Sequence, residues 1–184
     1  AAPRHAVLHI TADSRYRLWV NGTYIGRGPE RSWPVAMAVD ARTIPLNVGE
    51  NRIRVQVYSP GYSHFAHVHR AACGMLAWLD VDGETLIPTD RENWRVRRDL
   101  SWRAEVPRIS IYGTGVEERD LTRAIPPDAE SVGWAQPRIV QPPEGPVWGG
   151  LRPRTTPLLT EETRPLTTPW RTRFGPDAAH CDPH

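Results

Sequence analysis

Three histidines lie close together in "SHFAHVHR": His64, His67 and His69. On a strand, His67 and His69 at i and i+2 share a face, and imidazoles so placed can hold a transition metal. Apart from His64, only acids distant in sequence would supply a third donor. The structural alternative is a loop or edge strand whose aromatic rings face a neighbouring domain or a pocket rim. The acids raise a second chemistry. Glycoside hydrolysis takes two carboxylates across the scissile bond, one protonated and one ionised. The densest local set is Glu117, Glu118 and Asp120. Sequence neighbours in an extended segment point to opposite faces, so this set reads as a solvated turn. A third chemistry belongs to the eight tryptophans, because sugars stack their apolar faces on indole rings. Trp19 and Trp78 fall in strand-like runs, where the ring serves a core or a sheet face. Trp33 follows "RGPERS" and precedes Pro34, which places it in a loop as the ligand-facing candidate.

The whole chain bounds these readings. Its 184 residues suffice for one domain with a core, plus an extension. The formal charge is +2 and every basic residue is Arg, spread along the chain among acids rather than gathered in a stripe. Nucleic acid is therefore not an expected partner. No run of about 18 apolar residues occurs, so no membrane partner is expected either. Two thiols, Cys73 and Cys181, make neither a disulfide framework nor a cysteine metal motif, and they leave the compartment open. No signal peptide is visible, which leans toward the cytoplasm. The start "AAPRHAVLHI" enters almost at once into a strand-like pattern, as in a chain cut from something longer.

The elements that would position these residues are short strands. Period-two alternation runs through "YRLWVNG" and "NRIRVQVYS". Asn21-Gly22 is the preferred pair for a tight hairpin, since both residues tolerate positive φ. Asn47–Asn51 and Asp82-Gly83 are further turn signals, and additional strands are expected at "NWRVRRD" and "RISIYG". The fold class expected is all-β: an antiparallel jelly-roll β-sandwich over residues 1–140. Twelve of the 19 prolines lie from Pro126 onward. Residues 141–184 accordingly read as an extended Pro-rich arm or linker toward a following domain, its end disordered.

"DSRYRLWVNGTYIGRGPERS", "VDARTIPLNVGENRIRVQVYS", "CGMLAWLDVDGETLIPTDRENWRVRR" and "VGWAQPRIV", in that order, resemble a known domain. It is the N-terminal β-sandwich of bacterial α-L-rhamnosidases, glycoside hydrolases whose catalytic carboxylates sit on a helical barrel. The resemblance covers about residues 6 to 165 and implies a galactose-binding-like fold. It makes Trp94 and Trp134 packing anchors, and it leaves this chain without catalytic residues of its own.

The resemblance also implies sites. In members that bind sugar through the sandwich, an Asp-Asn pair before the hairpin supports a calcium ion, and an aromatic after the Gly-Arg-Gly-Pro turn meets the rhamnose. Here Asp13 matches and Ser14 replaces the Asn, giving Asp13 and Ser14 as the calcium candidates. The aromatic position falls near Met37, and a small shift brings in Trp33. Trp33, Asn21 and Arg31 are the carbohydrate-binding candidates. The function so implied is a non-catalytic accessory domain that packs against other domains of a larger glycosidase and shapes substrate access. The alternative is a calcium-dependent module for L-rhamnose-containing glycans. A packing domain should expose a contiguous apolar patch, a sugar site a small concave pocket.

Overall fold

The computed structural model describes residues 5–69, 73–126, 129, 132–140, 148, 150–162 and 165. It is all-β, with no α-helix among the described residues. The strands are β1 Ala6–Asp13, β2 Arg15–Val20, β3 Thr23–Gly28, β4 Ala38–Ile44, β5 Ile53–Tyr58, β6 Gly74–Val81, β7 Glu84–Ile87 and β8 Arg152–Pro153. They form a five-stranded sheet in the order β7-β6-β1-β4-β8 and a three-stranded sheet in the order β3-β2-β5. Every pairing is antiparallel except β4 with β8.

Alternation sets the core between the sheets. Ala6, Leu8, Ile10 and Ala12 of β1 turn inward against Tyr16, Leu18 and Val20 of β2, with Ala77, Leu79 and Val81 of β6 beside them. The opposite face of β2 carries Trp19, roofed by the Arg54 guanidinium 4.0 Å from its centroid. The β2–β3 hairpin turns on Asn21 and Gly22, both at positive φ, and Asp82 and Gly83 do the same between β6 and β7. Asn51 locks the Asn47–Asn51 turn, accepting from the Asn47 N–H at 2.7 Å and from Asn21 Nδ2 at 2.9 Å.

The motifs that carried the family resemblance have local jobs. The Thr89 hydroxyl both donates to the Ala77 carbonyl and accepts from its N–H, pinning the strand exit. Asp90 caps the next turn by accepting from the N–H groups of Glu92 and Asn93. Trp94 packs on the core edge and donates to the Pro88 carbonyl at 3.0 Å. Trp134 is half-exposed beneath the Arg97 guanidinium.

Two expected strands are absent. Residues 93–99 and 108–113 form only isolated bridges, Val96 with Ala135 and Arg108 with Gly115. In the first, Trp94 alone reaches the core, while Arg95 and Arg97 spend their guanidinium groups on nearby backbone carbonyls. In the second, Ile109 and Ile111 face solvent and lay no apolar face on a sheet. Ile139 is exposed as well.

The described part of the Pro-rich stretch runs along the sandwich. β8 joins the edge of β4 in parallel, with Arg152 N–H donating to Met37 and Arg154 N–H to Val39. Pro153 is tolerated because an edge strand leaves one N–H side unused. Beyond β8, Tyr24 donates to Glu161 at 2.9 Å, and Arg27 meets the same carboxylate at 3.5 Å. The expected disordered end lies outside the described residues.

Candidate functional site

β4 builds the first polar cluster. Asp40, Arg42 and Ile44 share its buried face, while Ala41 and Thr43 point out. Asp40 is fully buried: one carboxylate oxygen accepts from Tyr16 Oη at 2.5 Å, the other from Arg154 at 2.9 Å. Arg42 donates to Tyr16 Oη at 3.3 Å and to the Arg27 carbonyl. Burial, and then the bond to Asp40, pushes the Tyr16 phenol well above its ordinary range. The two glycines of "GRGP" leave room for this cluster. A Cβ on Gly28 would overlap the Asp40 carboxylate and sit 2.7 Å from the Tyr16 ring, and one on Gly26 would meet Arg42 Nη1 at 2.5 Å.

Glu30 is the second buried carboxylate. It accepts from Arg152 Nη1 at 2.5 Å, from the Thr155 N–H and hydroxyl at 3.2 and 3.3 Å, and from the Thr156 N–H and hydroxyl at 2.9 and 2.5 Å. The Thr156 hydroxyl bond, ahead of the other donors and against burial, holds its pKa well below the carboxylate range. Both acids are thus consumed by internal partners and act as clasps for the chain after β8. Glu118 pairs with Arg103 at 3.0 Å, and Asp120 caps the 3-10 turn Leu121–Arg123.

The expected sugar and calcium residues separate along the sandwich. β1 ends at Asp13, and the chain crosses to the other sheet through Ser14, whose N–H donates to Tyr58 at 3.0 Å. The 29–37 loop emerges at this same end, because Tyr16 pairs with Gly28. Trp33 therefore shares an end with Asp13 and is 67% exposed. Arg31 is exposed in the same loop. Asn21 lies beyond the far end of six-residue β2, about 20 Å away. Its amide donates to Asn51 and its carbonyl accepts from the Arg52 N–H, so it serves the turns.

Asp13 has other company. Asp13 is buried, and its Oδ1 lies 3.5 Å from His67 Nε2. His69 joins them, one donor atom from each residue falling within 4.8 Å of the others. The histidines lie on a loop rather than a strand. His64 and His67 exchange backbone hydrogen bonds in a tight turn, and the Ser63 hydroxyl accepts from the His69 N–H. His67 Nε2 and His69 Nδ1 are buried with no hydrogen-bond partner. Burial, ahead of the neighbouring His64 and His69, lowers the His67 pKa against the pull of Asp13, so the ring is neutral near pH 7. Sequence reasoning listed both halves of this cluster but did not join them, since the donors lie more than fifty positions apart.

The next face is apolar. Phe65 stacks edge-on against Tyr112 at 5.0 Å, and its N–H donates to the Ile111 carbonyl. Phe65, Ile109, Ile111 and Tyr112 are 76, 80, 69 and 62% exposed. Tyr62 ties the two loops, its hydroxyl accepting from the Gly115 N–H at 3.0 Å and its ring lying beneath the Arg108 guanidinium. An open cleft of about 520 Å³ lies at the other end, lined by Thr23, Tyr24, Ile25, Leu159, Glu161 and Glu162.

No family model matches the sequence, and no curated protein does. Among solved structures, the chain is similar to the crystal structure of a GH78 family rhamnosidase of Bacillus sp. GL1, at 38% sequence identity and a TM-score of 0.79. The match covers 88% of this chain and 18% of that protein. Over most of its length, then, this chain is similar to a minor part of a GH78 family rhamnosidase.

Proposed function

We propose that this chain is a non-catalytic accessory domain of an α-L-rhamnosidase-like glycoside hydrolase, packing against other domains of that enzyme and shaping access to its cleft. The observation that carries this reading is the exposed set Phe65, Ile109, Ile111 and Tyr112, gathered on two loops tied to one another. Contiguous exposed apolar surface of this kind marks an interaction face. The similarity to a minor part of a much longer rhamnosidase supports the identity of the partner. In this reading residues 1–140 form the sandwich domain, and the chain from 141 onward adds β8 to its edge and leads toward the next. Glu30 and Asp40 set the direction in which the chain departs.

The test is complementation. A GH78 rhamnosidase with the matching segment deleted is assayed on an aryl α-L-rhamnoside with this chain fused in its place. Restored soluble activity is expected, and it should be lost in a Phe65→Ser/Ile111→Ser variant that still folds. Turnover by the chain alone, or equal activity with and without it, overturns the proposal.

Exposed Trp33, on the same end as Asp13, favours a second reading: a carbohydrate-binding module for L-rhamnose. Calorimetric titration with L-rhamnose, with and without calcium, tests it. Heat that disappears in Trp33→Ala supports this reading, and no heat at millimolar sugar ends it.

A further inference from the structure

The cluster at the β1–β2 corner carries a site independent of the accessory-domain reading. Two of its three donors are imidazole nitrogens. Calcium takes six to eight oxygens, so the donor set is a poor calcium cage. Two imidazoles and one carboxylate suit zinc and its transition-metal neighbours.

Geometry agrees. Two ligands each about 2.0–2.1 Å from a tetrahedral zinc stand about 3.3–3.4 Å apart. Asp13 Oδ1 and His67 Nε2 stand 3.5 Å apart, long for a hydrogen bond and close to that metal-spanned separation. The third donor, from His69, completes a set within 4.8 Å. Buried polar atoms in folded proteins nearly always have partners. Here two imidazole nitrogens, His67 Nε2 and His69 Nδ1, are buried without a hydrogen bond. A cation coordinated at this corner satisfies such nitrogens, and carboxylate and imidazole together fit its charge and softness.

We propose that Asp13, His67 and His69 bind one divalent transition-metal ion of the zinc class, with a fourth position left to water. Asp13 sits on rigid β1, paired with Gly74 of β6, whereas both histidines sit on the loop after β5. The ion therefore staples that loop to the sheet corner. Phe65 lies between His64 and His67 on the same loop, so the staple also sets the position of the apolar face.

The experiment uses the full, untagged chain, stripped with chelator and titrated with Zn²⁺ by calorimetry. Co²⁺ is added in parallel and followed by visible absorption. The tail contributes His180, Cys181 and His184 as unrelated donors, so a His180→Ala/Cys181→Ala/His184→Ala background is run alongside. In that background one equivalent of Zn²⁺ should bind, with an intense tetrahedral Co²⁺ band and a raised melting temperature. His67→Gln and His69→Gln should each weaken binding by more than about 100-fold, beyond what loss of an outer-shell partner costs. Folding of each variant is checked by circular dichroism. Unchanged affinity in both histidine variants, loss of all binding with the tail donors, or calcium displacing zinc at equal concentration would each overturn the assignment.

Discussion

Glu30→Gln isolates the clasp between the sandwich and the chain after β8. Glu30 receives five donors, three on Oε1 and two on Oε2. Glutamine keeps the volume but turns one acceptor into an NH₂ group and removes the charge. The threonine hydroxyls can rotate and accept from it, but the backbone N–H of Thr155 or Thr156 cannot. At least one charge-assisted bond is lost and another weakened, at about 1.5–3 kcal/mol each, so roughly 3 kcal/mol of docking energy disappears. The cost to the whole fold is capped, because residues 151–162 can detach and return their polar groups to water. The sensitive readout is therefore native-state hydrogen exchange at Thr155 and Thr156. Three kcal/mol corresponds to about a 100-fold loss of protection. Exchange in β1 should change far less, because its strands keep their partners. Unchanged protection at both threonines, in a variant that folds, would refute the clasp.

The depressed Glu30 pKa contributes stability above the ordinary carboxylate value of 4.5, stability that drains away as pH falls below it. Exchange at Thr155 and Thr156 should therefore rise below about pH 4.5 before the core opens. Tyr16 behaves with the opposite sign: its raised pKa makes stability fall as pH climbs past 10.0, and Tyr16→Phe should lose that dependence while costing about 1–3 kcal/mol by urea unfolding. Gly28→Ala should cost about 2–4 kcal/mol by the same measurement, since its Cβ has no room beside Asp40 and Tyr16. Trp33→Ala should leave stability within about 0.5 kcal/mol, because the ring is mostly in solvent.

What the sequence made legible was local. Asn21-Gly22 and Asp82-Gly83 demanded turns, and the alternation of "YRLWVNG" put Tyr16, Leu18 and Val20 on one face of a strand, the face that the fold buries. The misread strands at 93–99 and 108–113 had alternation but too little apolar area facing a core. The buried carboxylates were hidden by distance, since Glu30 meets its threonines 125 and 126 positions away. A signal did exist for Asp40: "VDARTI" places Asp40 and Arg42 in phase with Ile44, and Ala41 and Thr43 out of phase. At the β1–β2 corner, Asp13 and the histidines were each legible as metal-binding residue types, and the more than fifty positions between them hid that the fold brings them together.

The face bearing Phe65, Ile109, Ile111 and Tyr112 is proposed to meet the neighbouring domain of the parent enzyme. The most direct measurement compares hydrogen exchange of residues 61–69 and 106–116 in the isolated chain and in the chain fused ahead of a rhamnosidase catalytic region. Exchange in both loops should slow on fusion, with little change at the Trp33 loop. Equal exchange in the two proteins, with the fusion folded and active, would contradict it.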